Sequence, residues 1–82
     1  MTFSAQFDRA TARLVLQGDC RMDDAPRLAR ALDAARAAAP AALLVDVGGA
    51  LDIGPSWLLR CLLADLRATG TRVELAGRAP GH

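Results

Sequence analysis

The residues whose types and spacing bear on chemistry lie mostly between Asp46 and Cys61. Asp46 and Asp52 are two acids within one short stretch, but nothing near them supplies a nucleophile or a base, so they read as cap or turn residues. Gly48, Gly49 and Gly54 are glycines of a loop, yet they form neither GxGxxG nor GxxxxGK[ST], and the chain has no lysine to meet a phosphate. Cys20 and Cys61 are isolated cysteines with no His to activate them apart from the terminal His82, which excludes the CxxC redox and metal patterns. Ser56 remains as a hydroxyl at the first turn of a helix, where a phosphate would be stabilised by free amides and the helix dipole. The expectation is a non-enzymatic module with no cofactor and no metal.

The elements that position this loop follow from hydrophobic period. Ala42 to Val47 is apolar except at Asp46, which suits a central strand buried on both faces. Gly48-Gly49 stop it, and Gly54 and Pro55 are expected as N-cap and first residue of a helix running to Thr69, ended by Gly70. On a wheel, Leu58, Leu59, Leu62 and Leu66 share the buried arc, with Ser56, Arg60 and Arg67 opposite. Trp57 and Cys61 fall on the flank. Two readings of Trp57 stay open: an outward interface anchor, or a ring folded over the loop as a lid on the core edge.

Upstream, Phe3, Ala5 and Phe7 alternate with Ser4, Gln6 and Asp8, a half-buried strand. After a turn at Asp8-Arg9-Ala10, Thr11 to Gln17 returns antiparallel with Leu14 and Leu16 on one face. Asp23-Asp24-Ala25-Pro26 opens a helix with acids at its positive end. Ala25, Leu28, Leu32 and Ala35 form its apolar stripe and Pro40 ends it. Arg72 to Ala76 gives a last period-two strand, and the composition from Gly77 onward is that of an open tail. The order β-β-α-β-α-β predicts a mixed four-stranded α/β sheet with both helices on one face, one domain over residues 1–77 and a tail over 78–82.

Composition bounds the partners. The 82 residues are 52% hydrophobic with net charge +1, and the ten basic residues, all Arg, are spread along the chain. A nucleic-acid surface needs clustered charge, so none is expected. No apolar run approaches the roughly 20 residues of a membrane span, and the opening alternates rather than forming a signal-peptide core.

Two stretches carry a family resemblance. Leu14-Val15-Leu16-Gln17-Gly18-Asp19, followed by Ala25-Pro26 and Leu28, is similar to the opening of STAS domains, where a strand ends in Gly-Glu before a helix. Leu44-Val45-Asp46-Val47-Gly48-Gly49 through Ile53-Gly54-Pro55-Ser56-Trp57-Leu58 resembles that family's Asp-Leu-Ser-Gly and Ile-Asp-Ser-Ser-Gly-Leu, and Gly70 to Leu75 matches the strand beyond. STAS domains are shared by anti-sigma factor antagonists and the cytoplasmic parts of sulphate transporters. The family's phosphoacceptor serine falls on Pro55, the acid before it on Gly54 and the glycine after the serine pair on Trp57, leaving Ser56 as the hydroxyl.

This variant loop looks more like the STAS segments associated with permeases of Mla-type lipid ABC transporters. The resemblance therefore implies regulatory protein docking in bacterial lipid transport, through Gly54, Pro55, Ser56, Trp57, Arg60 and Cys61. The partner is then a permease or ATPase. Two alternatives stand beside it: an anti-sigma factor antagonist switched by phosphorylation, with Ser56 as phosphosite, and a nucleotide-binding module. The expected location is the cytoplasm, or the inner-membrane surface where a partner or a C-terminal continuation holds the chain. A full STAS domain is longer, so the sequence is expected to be a truncated form or the first part of a longer polypeptide. An apolar sheet face left bare by the absent elements, with Trp57 at its rim, would make a homodimer surface.

Overall fold

The structure, a computed structural model, describes residues 3–77. It is an α/β fold in the order β1 (Ser4–Asp8), β2 (Arg13–Gln17), α1 (Ala25–Ala38), β3 (Ala42–Val47), α2 (Ile53–Ala68) and β4 (Arg72–Gly77), with a 3-10 turn at Met22–Asp24 ahead of α1. The four strands form one mixed sheet in spatial order β1-β2-β3-β4. β1 and β2 are antiparallel, paired from Ser4↔Gln17 to Asp8↔Arg13. β2-β3 and β3-β4 are parallel, which the two intervening helices make possible. The expected fold class is the observed one.

Alternation sends Phe3, Ala5 and Phe7 of the first strand region, Leu14 and Leu16 of β2, and Leu43 and Val45 of β3 to the face that both helices cover. Leu28, Ala31, Leu32 and Ala35 of α1 and Leu59, Leu62, Leu63 and Leu66 of α2 complete the core. Each fully buried leucine contributes about 1.5–3 kcal/mol of transfer free energy. Across the helix pair, Arg36 and Asp65 meet at 2.7 Å, but both side chains are more than half exposed, so the bridge orients the helices more than it stabilises them.

The opposite face departs from expectation. β3 is not buried on both sides: Leu44 is half-buried and Ala42 exposed. The reason lies in the cross-strand neighbours. The register flanks Leu44 with Arg13 and Glu74, and Val15 with Gln6 and Asp46, so polar side chains surround the two apolar ones. Arg13 Nη2 donates to Asp46 Oδ2 across this face at 3.2 Å. A bare apolar sheet face is therefore not a feature of the described residues.

Helix ends also differ in detail. Asp24 is the N-cap of α1, with Pro26 in its first turn as expected, and Ala31 joins the buried stripe while Ala25 is only half-buried. β2 begins at Arg13, because Thr11 and Ala12 belong to the turn, where Ala12 has φ 53°. α2 ends in a Schellman arrangement. Gly70, at φ 99°, donates its N–H to the Arg67 carbonyl (3.1 Å), and Thr71 donates to that of Leu66 (2.9 Å). Thr69 is the C-cap, so Gly70 lies one residue past it. β4 continues through Gly77, while the tail expected over 78–82 lies outside the described residues.

Candidate functional site

The loop after β3 is braced against the segment after β2. The Gly48 N–H donates to the Leu16 carbonyl (2.7 Å), Cys20 N–H to Ala50 (2.8 Å) and Asp52 N–H to Cys20 (2.9 Å), so Cys20 and Leu51 form a short parallel bridge beyond the strands. Two carboxylates close the arrangement. Asp19 Oδ1 accepts the Ala50 N–H at 3.0 Å, and Asp52 Oδ2 accepts the Met22 N–H at 3.2 Å. Gly49 is required by contact: a Cβ there would lie 2.3 Å from the Gly18 carbonyl oxygen.

These bonds explain where α2 starts. Gly54 is not its N-cap and Pro55 not its first residue. Asp52 is the N-cap, in extended conformation, and its carbonyl accepts the Ser56 N–H at 2.8 Å, which places Ile53 at the first position and Pro55 at the third. A proline is tolerated there because the first-turn amides have no internal acceptor. Starting two residues earlier brings Ile53 into the helix about one turn before Trp57, a relation the expected boundary hid.

The buried arc also differs from the expected one. Pro55, Leu59, Leu62, Leu63 and Leu66 face the core, and Leu58 is displaced to its margin, 38% exposed. Trp57 points outward with 65% of its surface exposed, Ile53 with 86% and Met22 with 58%. Met22 is seated against Gly54, where any Cβ would come within 2.6 Å of its Sδ. Among the residues expected to meet a partner, Trp57, Arg60 and Cys61 are exposed, Gly54 and Ser56 are half-buried, and Pro55 is buried and presents no surface. Ile53 and Met22 went unrecognised as companions of Trp57. The signal for Ile53 was its spacing of four from Trp57, available once Asp52 is read as the cap.

The chemical candidates are dispersed. Asp46 is engaged with Arg13 on the open sheet face, while Asp52 braces the loop. Cys20 is buried, and that burial, with the charges of Asp24 and Asp52 adding to it, pushes its thiol pKa up, so it holds its proton and is a poor nucleophile. Folded chains keep this proton where unfolded ones lose it, so the Cys20 contribution to stability is complete below the ordinary thiol range and declines as pH rises through it. In a thiol-labelling time course Cys61, which is exposed, is expected to react at once, and Cys20 only as urea unfolds the chain. Equal rates for both thiols would contradict the burial of Cys20. Among the described residues no group of three or more His, Cys, Asp or Glu is placed to hold a metal ion, and no helix is long and apolar enough to cross a membrane.

Comparison with protein-family models, curated proteins and solved structures finds no match.

Proposed function

We propose that this chain is a non-enzymatic docking module of the STAS type that binds a protein through the apolar surface at the start of α2. The observation that carries the reading is the outward indole of Trp57, joined by Ile53 one turn earlier and by Met22 on the neighbouring turn. Three large apolar side chains more than half exposed, two at the start of α2 and one on the turn packed against it, cost solvation in the free chain and favour a partner that covers them. Tryptophan is the side chain most enriched among interface anchors. Arg60 and the exposed Cys61 extend the surface along the helix.

The sequence resemblance supports a setting in bacterial lipid-type ABC transport, with a permease or ATPase as partner. Pro55 at the position of the family's phosphoacceptor serine supports constitutive docking over a phosphorylation switch. The test is the affinity of the purified chain for the permease and ATPase of a lipid-type ABC transporter from the same organism. Trp57→Ala is expected to cost about 2 kcal/mol or more of binding, roughly thirtyfold, while leaving the fold intact because the indole is not part of the core. Binding that is unchanged by Trp57→Ala would overturn the reading. Phosphate transfer to Ser56 from an anti-sigma kinase, seen in the intact mass, would favour the antagonist alternative, and heat evolved on titration with GTP or ATP would favour the nucleotide one.

A further inference from the structure

The outer edge of β1 is open, and the sheet register shows which of its backbone groups are free. The Leu44 N–H donates to the Ala12 carbonyl and Gly48 to Leu16, so even-numbered residues of β2 direct their backbone groups toward β3 and odd-numbered ones toward β1. The pairs Ser4↔Gln17, Gln6↔Val15 and Asp8↔Arg13 are therefore the hydrogen-bonded ones of the β1-β2 ladder. Ala5 and Phe7 then direct their N–H and C=O groups away from the sheet. Phe3 belongs to the same set, and its carbonyl accepts Arg27 Nη1 of α1 at 3.3 Å, as an outward-facing group would.

Alongside this edge, β1 and α1 enclose a groove lined by Phe3, Ala5, Phe7, Arg27, Arg30 and Ala31. On the helix side it presents the half-buried Ala5 and Phe7, the polar Ser4 and Gln6 border its other side, and its rim is cationic, with Arg27 and Arg30 both exposed. Among the described residues neither arginine is in a salt bridge with an acid. Open backbone groups, two half-buried apolar side chains and two unneutralised guanidinium groups share one groove.

We infer that this groove receives an extended acidic segment of another protein, which adds to the sheet as a strand beside β1. Backbone pairing with Ala5 and Phe7 supplies the register, and every second side chain of the segment lies on the helix side. A glutamate in that row lays its methylenes over Phe7 and brings its carboxylate to Arg30 or Arg27. The other row faces Ser4, Gln6 and Asp8, where Asp8 disfavours a further acid, so acidic residues alternating with small polar ones fit best. A second copy of this chain fits poorly, because pairing β1 with β1 brings Arg27 and Arg30 of both copies together. This surface is separate from Trp57, so either proposal stands without the other.

The probe is a short blocked peptide of alternating glutamate and threonine, titrated into the full chain and followed by amide chemical shifts. The expected result is saturable binding in which the Ala5 and Phe7 amides shift most, weakened by salt and by about tenfold in Arg30→Glu, with Trp57→Ala unaffected. Arg30 is exposed on α1, so its variant is expected to keep the fold, which the amide spectrum checks directly. A lysine-threonine peptide that binds as well, shifts centred on β4 instead of β1, no binding of the acidic peptide, or a concentration-dependent dimer through β1 would each overturn the inference.

Discussion

Leu62→Ala is expected to lower the unfolding free energy by about 2–5 kcal/mol, whereas Arg60→Ala on the exposed side of the same helix is expected to cost under about 0.5 kcal/mol. Leu62 is 3% exposed, midway along the arc that α2 presents to the sheet, with Leu59, Leu63 and Leu66 around it. Truncation removes three carbons from a buried site on the helix that packs against α1 and β4, and a small core has few ways to collapse around the cavity. Urea melts of the two variants measure the difference. The reverse order would mean that the helix turns another face to the core.

The second large effect is expected at Gly49. In Gly49→Ala the new methyl would meet the Gly18 carbonyl oxygen at 2.3 Å and its carbon at 2.5 Å, so backbone has to move on one side of the brace that positions α2. A cost of about 1–3 kcal/mol or more is expected. Gly70→Ala makes a useful contrast, since nothing lies within 4 Å of a Cβ there and its cost, about 1–2 kcal/mol, comes only from the left-handed φ of 99°. In thermal melts Gly49→Ala should also loosen the loop itself. The Ala50 and Asp52 backbone groups bonded to Asp19 and Cys20 would exchange faster, whereas Gly70→Ala leaves them protected. Equal protection in both variants would show that the loop tolerates the methyl.

The elements were readable because period and punctuation agree in this chain. Phe3, Ala5 and Phe7 alternate, Leu28, Leu32 and Ala35 recur at helical spacing, and Pro26, Pro40 and Gly70 mark ends that the backbone uses. The start of α2 was not readable in the same way. Gly54-Pro55 has the form of a cap and first residue, but the cap is set by tertiary bonds, from the Met22 N–H to the Asp52 carboxylate and from the Asp52 N–H to the Cys20 carbonyl, between residues about thirty positions apart. With the cap at Asp52, Ile53 joins the helix in line with Trp57, while Leu58 lies at the margin of the buried arc. The polarity of the open sheet face was not legible for a related reason. The apolar run of β3 says nothing about its neighbours, and only the register shows Arg13 and Glu74 beside Leu44. The outward position of Trp57 was one of two open readings, because a wheel gives a direction but not whether a loop folds over it.

Iodide quenching of the single tryptophan, on the chain alone at low concentration and again when saturated with its partner, tests the docking surface most directly. With 65% of its surface exposed, Trp57 is expected to be freely quenched in the dilute chain and shielded in the complex. An indole already shielded in the dilute chain, or one that stays freely quenched once the partner is bound, would contradict docking through Trp57.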